Sequence, residues 1–126
     1  MRNGNKLTTA SLMVGDWYNN IEFDECRQWT VNDYIETNID YCEPIRLTQD
    51  IIEKNDLRYR HFCNAYGEWV DIIIESHNTC FLLNVSSSVD DACDWAIYDI
   101  PIFYVHELQK ILRCVDLEDI ANKLII

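Results

Sequence analysis

Apolar and polar residues change rhythm several times along this chain, and each rhythm predicts a different element. Residues 1–7 are mostly polar and read as a loose lead-in. From Thr8 to Tyr18 the Thr, Val, Trp and Tyr residues have strand chemistry, with Gly15-Asp16 as a turn or bulge and Asn19-Asn20 as a turn. Between Ile21 and Ile45 short apolar groups recur: Ile21 and Phe23, then Trp29 and Val31, then Tyr34, Ile35, Ile39 and Tyr41. Acids and Asn separate them, which predicts short strands of an antiparallel meander with one wet face.

Pro44 closes that region, and a helix signal follows over Leu47–Asn55. Thr48 is a credible N-cap, Asp50 suits the first turn, and Leu47 can staple onto Ile52. Lys54 suits the last turn, and Asn55 the left-handed position that ends the helix. Tyr66–Glu75 is the strongest strand pattern; His77-Asn78-Thr79 gives a turn and Cys80–Val85 a return strand, together a hairpin. Ser86–Asp91 reads as a polar loop and Trp95–Ile100 as one more short strand. Pro101 fits the first turn of a helix in which Val105, Leu108, Leu112 and Val115 make the apolar face, with Ile111 beside them. His106, Glu107, Gln109, Lys110 and Arg113 fall mostly on the other side. Asp116 can cap a last short helix with an apolar stripe of Leu117, Ile120, Ala121 and Leu124.

These elements predict an α+β fold. A small, bent antiparallel sheet or SH3-like partial barrel forms the N-terminal part, followed by a further hairpin and by C-terminal helices packed on the sheet. With 126 residues, no internal repeat and no Gly-, Ser- or Pro-rich linker, the simplest parse is one domain over 1–126. Its β-rich half is 1–47, and 48–126 supplies the helix, hairpin and C-terminal helices.

Charge narrows the partners. Ten Lys and Arg face 22 Asp and Glu, a net charge of -12. Residues 1–57 and 58–126 each carry 11 acids and 5 bases, so the excess is not a tail. Backbone neutralisation of nucleic acid needs clustered Lys and Arg, so direct nucleic-acid binding is not expected. Anionic membrane surfaces are disfavoured for the same reason. A protein partner, in particular a basic one, fits better. No apolar run follows a basic start and none approaches a membrane span, so a cytoplasmic protein is expected. The six cysteines, Cys26, Cys42, Cys63, Cys80, Cys93 and Cys114, are then expected as thiols.

Three stretches carry a resemblance. Val14-Gly15-Asp16-Trp17 lies in the β-rich start, Glu43-Pro44-Ile45-Arg46-Leu47-Thr48 runs into Ile51-Ile52-Glu53-Lys54-Asn55, and Tyr104-Val105-His106-Glu107-Leu108-Gln109 opens the C-terminal helix. In that order they resemble a family of small uncharacterised proteins from gut Bacteroidetes, often carried on prophages and other mobile elements. Asn55-Asp56-Leu57 departs from the Asn-Gly-Phe of that pattern. The resemblance implies a bacterial or phage cytoplasmic protein and brings no catalytic residues.

Candidate chemistry is sparse. His106-Glu107 begins like a zinc-protease helix, but the second ligand position, four residues on, is Lys110. His61, Cys63, His77 and Cys80 are a soft donor set of the kind zinc takes, without the spacing of a finger. No signature marks a Cys/His nucleophile, and the three glycines make no phosphate loop. No catalytic residue and no cofactor is therefore expected. Residues 16–43 hold eight acids and only Arg27. The interaction surface expected there comprises Asp16, Trp17, Glu22, Asp24, Glu25, Trp29, Asp33, Glu36 and Asp40, because aromatics anchor protein interfaces. Three readings follow: a non-enzymatic protein-binding module, a nucleic-acid mimic that inhibits a basic host protein, and a small enzyme or zinc protein with an unrecognised site.

Overall fold

The computed structural model describes residues 7–63, 67–77, 80–90 and 95–126. The lead-in over residues 1–6, Tyr66, the Asn78-Thr79 turn, Asp91 and Cys93 lie outside the described residues. The fold is α+β, as the patterns predict, with a three-stranded and a four-stranded antiparallel sheet and a C-terminal helix packed on the sheet.

Strands β1 (Trp17–Asn20), β2 (Glu25–Gln28) and β3 (Cys42–Glu43) form the first sheet in the order β2-β1-β3. β1 and β2 pair from Trp17↔Gln28 to Asn20↔Glu25. Strand begins only at Trp17, later than the residue types suggest. Upstream, side chains take the backbone hydrogen bonds that a ladder would need. Thr8 N donates to Ser11 Oγ (2.9 Å), Ser11 N to Thr8 Oγ1 (3.2 Å) and Met13 N to Asp16 Oδ2 (2.9 Å). Asn19 and Asn20 are paired strand residues, and the turn falls at 21–24 instead. The expected meander is interrupted by a short helix α1 (Asp33–Glu36) and a 3-10 turn at Ile39–Tyr41.

Helix α2 (Gln49–Asn55) starts as predicted, with Thr48 Oγ1 accepting from Ile51 N at 3.3 Å and Lys54 pairing with Asp50 at 3.1 Å. The left-handed residue that ends it is Asp56 (φ 48°), one position beyond the expected Asn55. Asn55 instead holds the C-terminal segment: its Nδ2 donates to Ile125 O (2.7 Å) and its Oδ1 accepts from Ile125 N (2.8 Å).

The second sheet runs in sequence order through β4 (Arg58–Cys63), β5 (Glu68–His77), β6 (Cys80–Ser88) and β7 (Ala96–Ile102). The β5–β6 hairpin is in register from His77↔Cys80 to Trp69↔Ser88, so β6 extends into the stretch expected as polar loop. β4 is a strand beyond those expected. Pro101 sits in β7 opposite Leu82 rather than in a helix. β7 is an edge strand, where a missing N–H is tolerated.

Helix α3 (Val105–Cys114) buries Val105, Leu108 and Leu112, the stripe its spacing predicts. These pack with Val70, Ile72, Leu83 and Ile102 of the sheet and with Leu47, Ile51, Leu57, Ala121 and Leu124 in the main core. Each large aliphatic side chain there contributes about 1.5–3 kcal/mol by leaving water. Gln109, expected on the polar side of α3, is fully buried. Helix α4 (Glu118–Asn122) follows; Leu117 rather than Asp116 precedes it, and Asp116 takes a left-handed conformation (φ 65°) between the helices. A second, smaller core of Leu7, Leu12, Tyr18, Trp29 and Cys42 sits with the first sheet. Its Tyr18 and Trp29 rings meet edge-on at 5.4 Å. Among the described residues no helix is long and apolar enough to cross a membrane.

Candidate protein-interaction surface

The first sheet presents two exposed ends. At one, the β1–β2 connection is built by Asn20, whose buried side-chain carbonyl accepts from Glu22 N (3.0 Å) and Phe23 N (3.4 Å). Asp24 closes the turn in a left-handed conformation (φ 49°), which Asp tolerates better than most residues. Ile21 N donates to Tyr41 O at 2.8 Å, bringing the 3-10 turn alongside. The result is a fixed tip on which Ile21, Phe23 and Tyr41 stand exposed among the exposed acids Glu22, Asp24, Glu25 and Asp40. Phe23 is 58% exposed. The tip's cation, Arg27, pairs with Glu25 and lies 4.8 Å over the Phe23 ring.

At the other end the chain turns into α1. Asp33 Oδ2 accepts from Thr30 N (2.7 Å) and Thr30 Oγ1 (2.9 Å), and its Oδ1 accepts from Thr37 Oγ1 (2.5 Å). Partial burial pushes the Asp33 carboxyl up, but the Thr37 and Thr30 hydrogen bonds and the nearby Arg27 charge outweigh it, and the group lies below its ordinary value. Asp33 is thus a strut of the turn, whereas Glu36 is exposed. Beside them Val31 is 68% and Ile35 88% exposed. Tyr34 anchors this end, its hydroxyl donating to Leu12 O (2.7 Å) and its ring meeting Trp29 edge-on at 5.3 Å. The two ends are one four-residue strand apart, about 13 Å.

Three residues expected on this surface turn inward. Asp16 is 1% exposed and forms an ion pair with Arg113. Trp29 is 1% exposed and belongs to the small core. Trp17 is half-buried, its Nε1 donating to Leu124 O at 2.6 Å. Asp16 and Trp17 belong to a polar clasp beneath the surface. Gln109 is its centre: Nε2 donates to Gly15 O and Ala121 O, and Oε1 accepts from Trp17 N, each at 2.9 Å. Gln28 Nε2 donates to Gly15 O (3.1 Å) and Asn122 O (2.8 Å). Gly15 has φ +97°, and a Cβ there would lie 2.6 Å from Asn122 Oδ1. Nearby, Leu47 N donates to Phe103 O (2.9 Å) and Val105 N to Ile45 O (2.8 Å). Gly15 and Trp17 on one side and Ile45 and Leu47 on the other are thus held by hydrogen bonds around the start of α3.

The remaining candidates are dispersed. His61 and Cys63 share the inner side of β4, His61 half-buried and Cys63 fully buried. His61 Nε2–H donates to Val115 O at 2.6 Å, and Cys63 Sγ donates to Asp116 Oδ2 at 3.4 Å. His77 and Cys80 face each other at the far end of the hairpin. Cys63 lies opposite Glu68 and His61 opposite Val70, nine and seven residues along β5 from His77, so the two pairs are about 24–30 Å apart and do not form one site. Among the described residues no cluster of three or more His, Cys, Asp or Glu side chains is arranged to hold a metal.

His106 lines a separate cavity and stacks on Tyr104 with ring centroids 6.0 Å apart. Sequence reasoning missed the exposed apolar set of Ile21, Phe23, Val31, Tyr34, Ile35 and Tyr41, taking it for strand interiors. Turn-forming neighbours such as Asn32-Asp33 and Asn38 were the signal that could have found it. Compared with known proteins, the chain matches no family model, no curated sequence and no solved structure.

Proposed function

We propose that this chain is a non-enzymatic protein-binding module that docks a basic protein partner through the two ends of its first sheet. One observation carries the reading: large apolar side chains stand exposed among carboxylates on hydrogen-bonded turns, with Phe23 at 58% and Ile35 at 88%. Apolar groups at the centre of an interface supply affinity, and the acidic setting steers a partner of opposite charge. The interleaved apolar side chains favour a protein groove over a site that merely reads a row of phosphate-like charges. Nucleic-acid mimicry is therefore the second reading. A bacterial or phage origin, which the family resemblance implies, suits an intracellular binding module of this kind.

The test is affinity capture from host lysate with the wild-type chain and with a Phe23→Ser/Ile35→Ser double variant, at low and at high salt. A basic protein should be retained by the wild type at low salt, reduced at high salt, where screening shortens to roughly 3 Å at 1 M, and lost by the variant. Identical capture by wild type and variant, or no capture at any salt, rejects the reading. Displacement of the partner by duplex DNA would favour the mimic instead.

A further inference from the structure

Among the described residues the four-stranded sheet ends in two unpaired edges, β4 and β7, and they are built differently. β4 carries Arg58 and Arg60, and Arg58 N already donates to Asp56 O at 2.9 Å. Charged side chains on an edge discourage the addition of a further strand. β7 has a single charged residue, Asp99, whose Oδ1 accepts from Asn84 Nδ2 at 2.9 Å. Beside it Ile97 and Tyr98, on opposite faces of the strand, are 64% and 58% exposed.

The ladder decides which backbone groups β7 offers. Two residues join β5 to β6, and a connection of that length closes on a hydrogen-bonded pair, here His77↔Cys80. Hydrogen bonding alternates from there. Leu82 and Asn84 bond β5, which leaves Phe81, Leu83 and Val85 for Ile102, Ile100 and Tyr98 of β7. Ile97, Asp99 and Pro101 therefore turn their backbone groups to the free edge. The same alternation turns Arg58 N away from β5, in agreement with its bond to Asp56 O. Pro101, which has no N–H, thus sits where no bond within the sheet is lost.

We propose that β7 is a self-association edge: two copies of the chain pair antiparallel through it about Tyr98, joining their four-stranded sheets into one. In that register Ile97 of each copy exchanges both main-chain hydrogen bonds with Asp99 of the other, and the two Tyr98 side chains form a close cross-strand pair. Centring on Asp99 would set two carboxylates opposite each other. Centring on Ile100 would oppose Asp99 to Pro101, which cannot donate. The contact uses the same strand of both copies, so it closes at two and leaves the β4 edges outside. An edge contact of this length falls below the roughly 1,200 Å² of stable interfaces, so the dimer is weak, with a Kd on the order of 100 µM. This edge is separate from the acidic docking surface, and its salt dependence runs the other way. Screening relieves the repulsion between two chains of charge -12, so association strengthens with salt.

The test is sedimentation equilibrium of the full chain under reducing conditions, from about 10 µM to about 1 mM and in about 0.05 and 0.5 M NaCl. The mass should rise from one chain toward two with concentration, more steeply at the higher salt. Ile97→Pro removes an outward N–H without touching the ladder to β6 and should weaken association at least about tenfold. Ile97→Glu sets like charges opposite Asp99 and should weaken it about fivefold, whereas Ile97→Lys, opposite the same carboxylate, should retain or strengthen it. The Glu–Lys contrast changes only an exposed side chain, so it decides the matter even if Ile97→Pro does not fold. Val31→Glu and Val31→Lys make the same charge changes at an exposed site outside this sheet and should differ by less than about twofold. The mass of a single chain at every concentration and salt, undiminished association of folded Ile97→Pro, or a Glu–Lys contrast no larger at Ile97 than at Val31 overturns the proposal.

Discussion

Replacing Gln109 by Met removes the clasp's central polar group at nearly constant volume, so its effect measures hydrogen bonding rather than packing. Three hydrogen bonds of 2.9 Å disappear. Gly15 O keeps Gln28 Nε2 at 3.1 Å, and Ala121 O keeps the Lys123 amide. Trp17 N loses its side-chain acceptor. At about 1 kcal/mol for each of the two bonds whose carbonyls keep another donor, plus ~1–3 kcal/mol for the orphaned, part-buried Trp17 amide, the expected loss is about 3–5 kcal/mol. That is a large fraction of the roughly 5–15 kcal/mol that holds a domain folded. Urea unfolding followed by tryptophan fluorescence and far-UV circular dichroism gives the number directly. The midpoint should fall with the slope unchanged. Gln28→Met, at the half-exposed rim of the same network, should cost about 1 kcal/mol. A loss below about 1 kcal/mol for Gln109→Met would show that the clasp carries no stability, and the reading of its residues as structural would fail.

Gly15→Ala should destabilise by about 1–3 kcal/mol from backbone strain at φ +97°, with a further steric part from the 2.6 Å approach to Asn122 Oδ1. Adding Asn122→Ala should recover only the steric part; an unchanged midpoint for Gly15→Ala in the same urea assay would refute the geometry. The pH response follows from two groups. Burial holds the His106 imidazole below its ordinary 6.5, so the unfolded chain takes the proton first and stability falls as pH drops below 6.5 toward the folded value. Asp33 lies below 3.8, so its contribution is present above 3.8 and lost as pH falls further. In thermal melts the stability of the wild type relative to His106→Gln should fall as the first window is crossed downward, and parallel curves would contradict the assignment.

Local rules were legible and long-range polar pairing was not. Thr48 is visible as a cap because its partner, Ile51 N, is three residues away. The α3 stripe is visible because Val105, Leu108 and Leu112 repeat at helical spacing. The β5–β6 hairpin shows itself by the density of β-branched residues between turn signals. β4 escapes because its inward positions are Tyr59, His61 and Cys63, which look neither apolar nor alternating. For the segment 16–43, composition anticipated which carboxylates are exposed better than it placed the residues that turn inward. Glu22, Asp24, Glu25, Glu36 and Asp40 are exposed, while Asp16 and Trp29 are not.

The misplaced polar groups share one cause. A polar residue is assigned to the surface unless its buried partner is known, and those partners come from far along the chain. Trp17 N and Gln109 Oε1 are 92 positions apart, and Asp16 and Arg113 are 97 apart. Burial of such groups is tolerable only when both members arrive together, since one without the other leaves an uncompensated dipole or charge. The clasp therefore acts as a joint condition on three distant segments, the Gly15 turn, β1 and the α3–α4 pair. It fixes β1, and through β1 the Asn20 turn that presents Phe23. If the proposed docking face depends on that orientation, Gln109→Met should weaken partner capture even at temperatures where the variant remains folded, although Gln109 itself is fully buried.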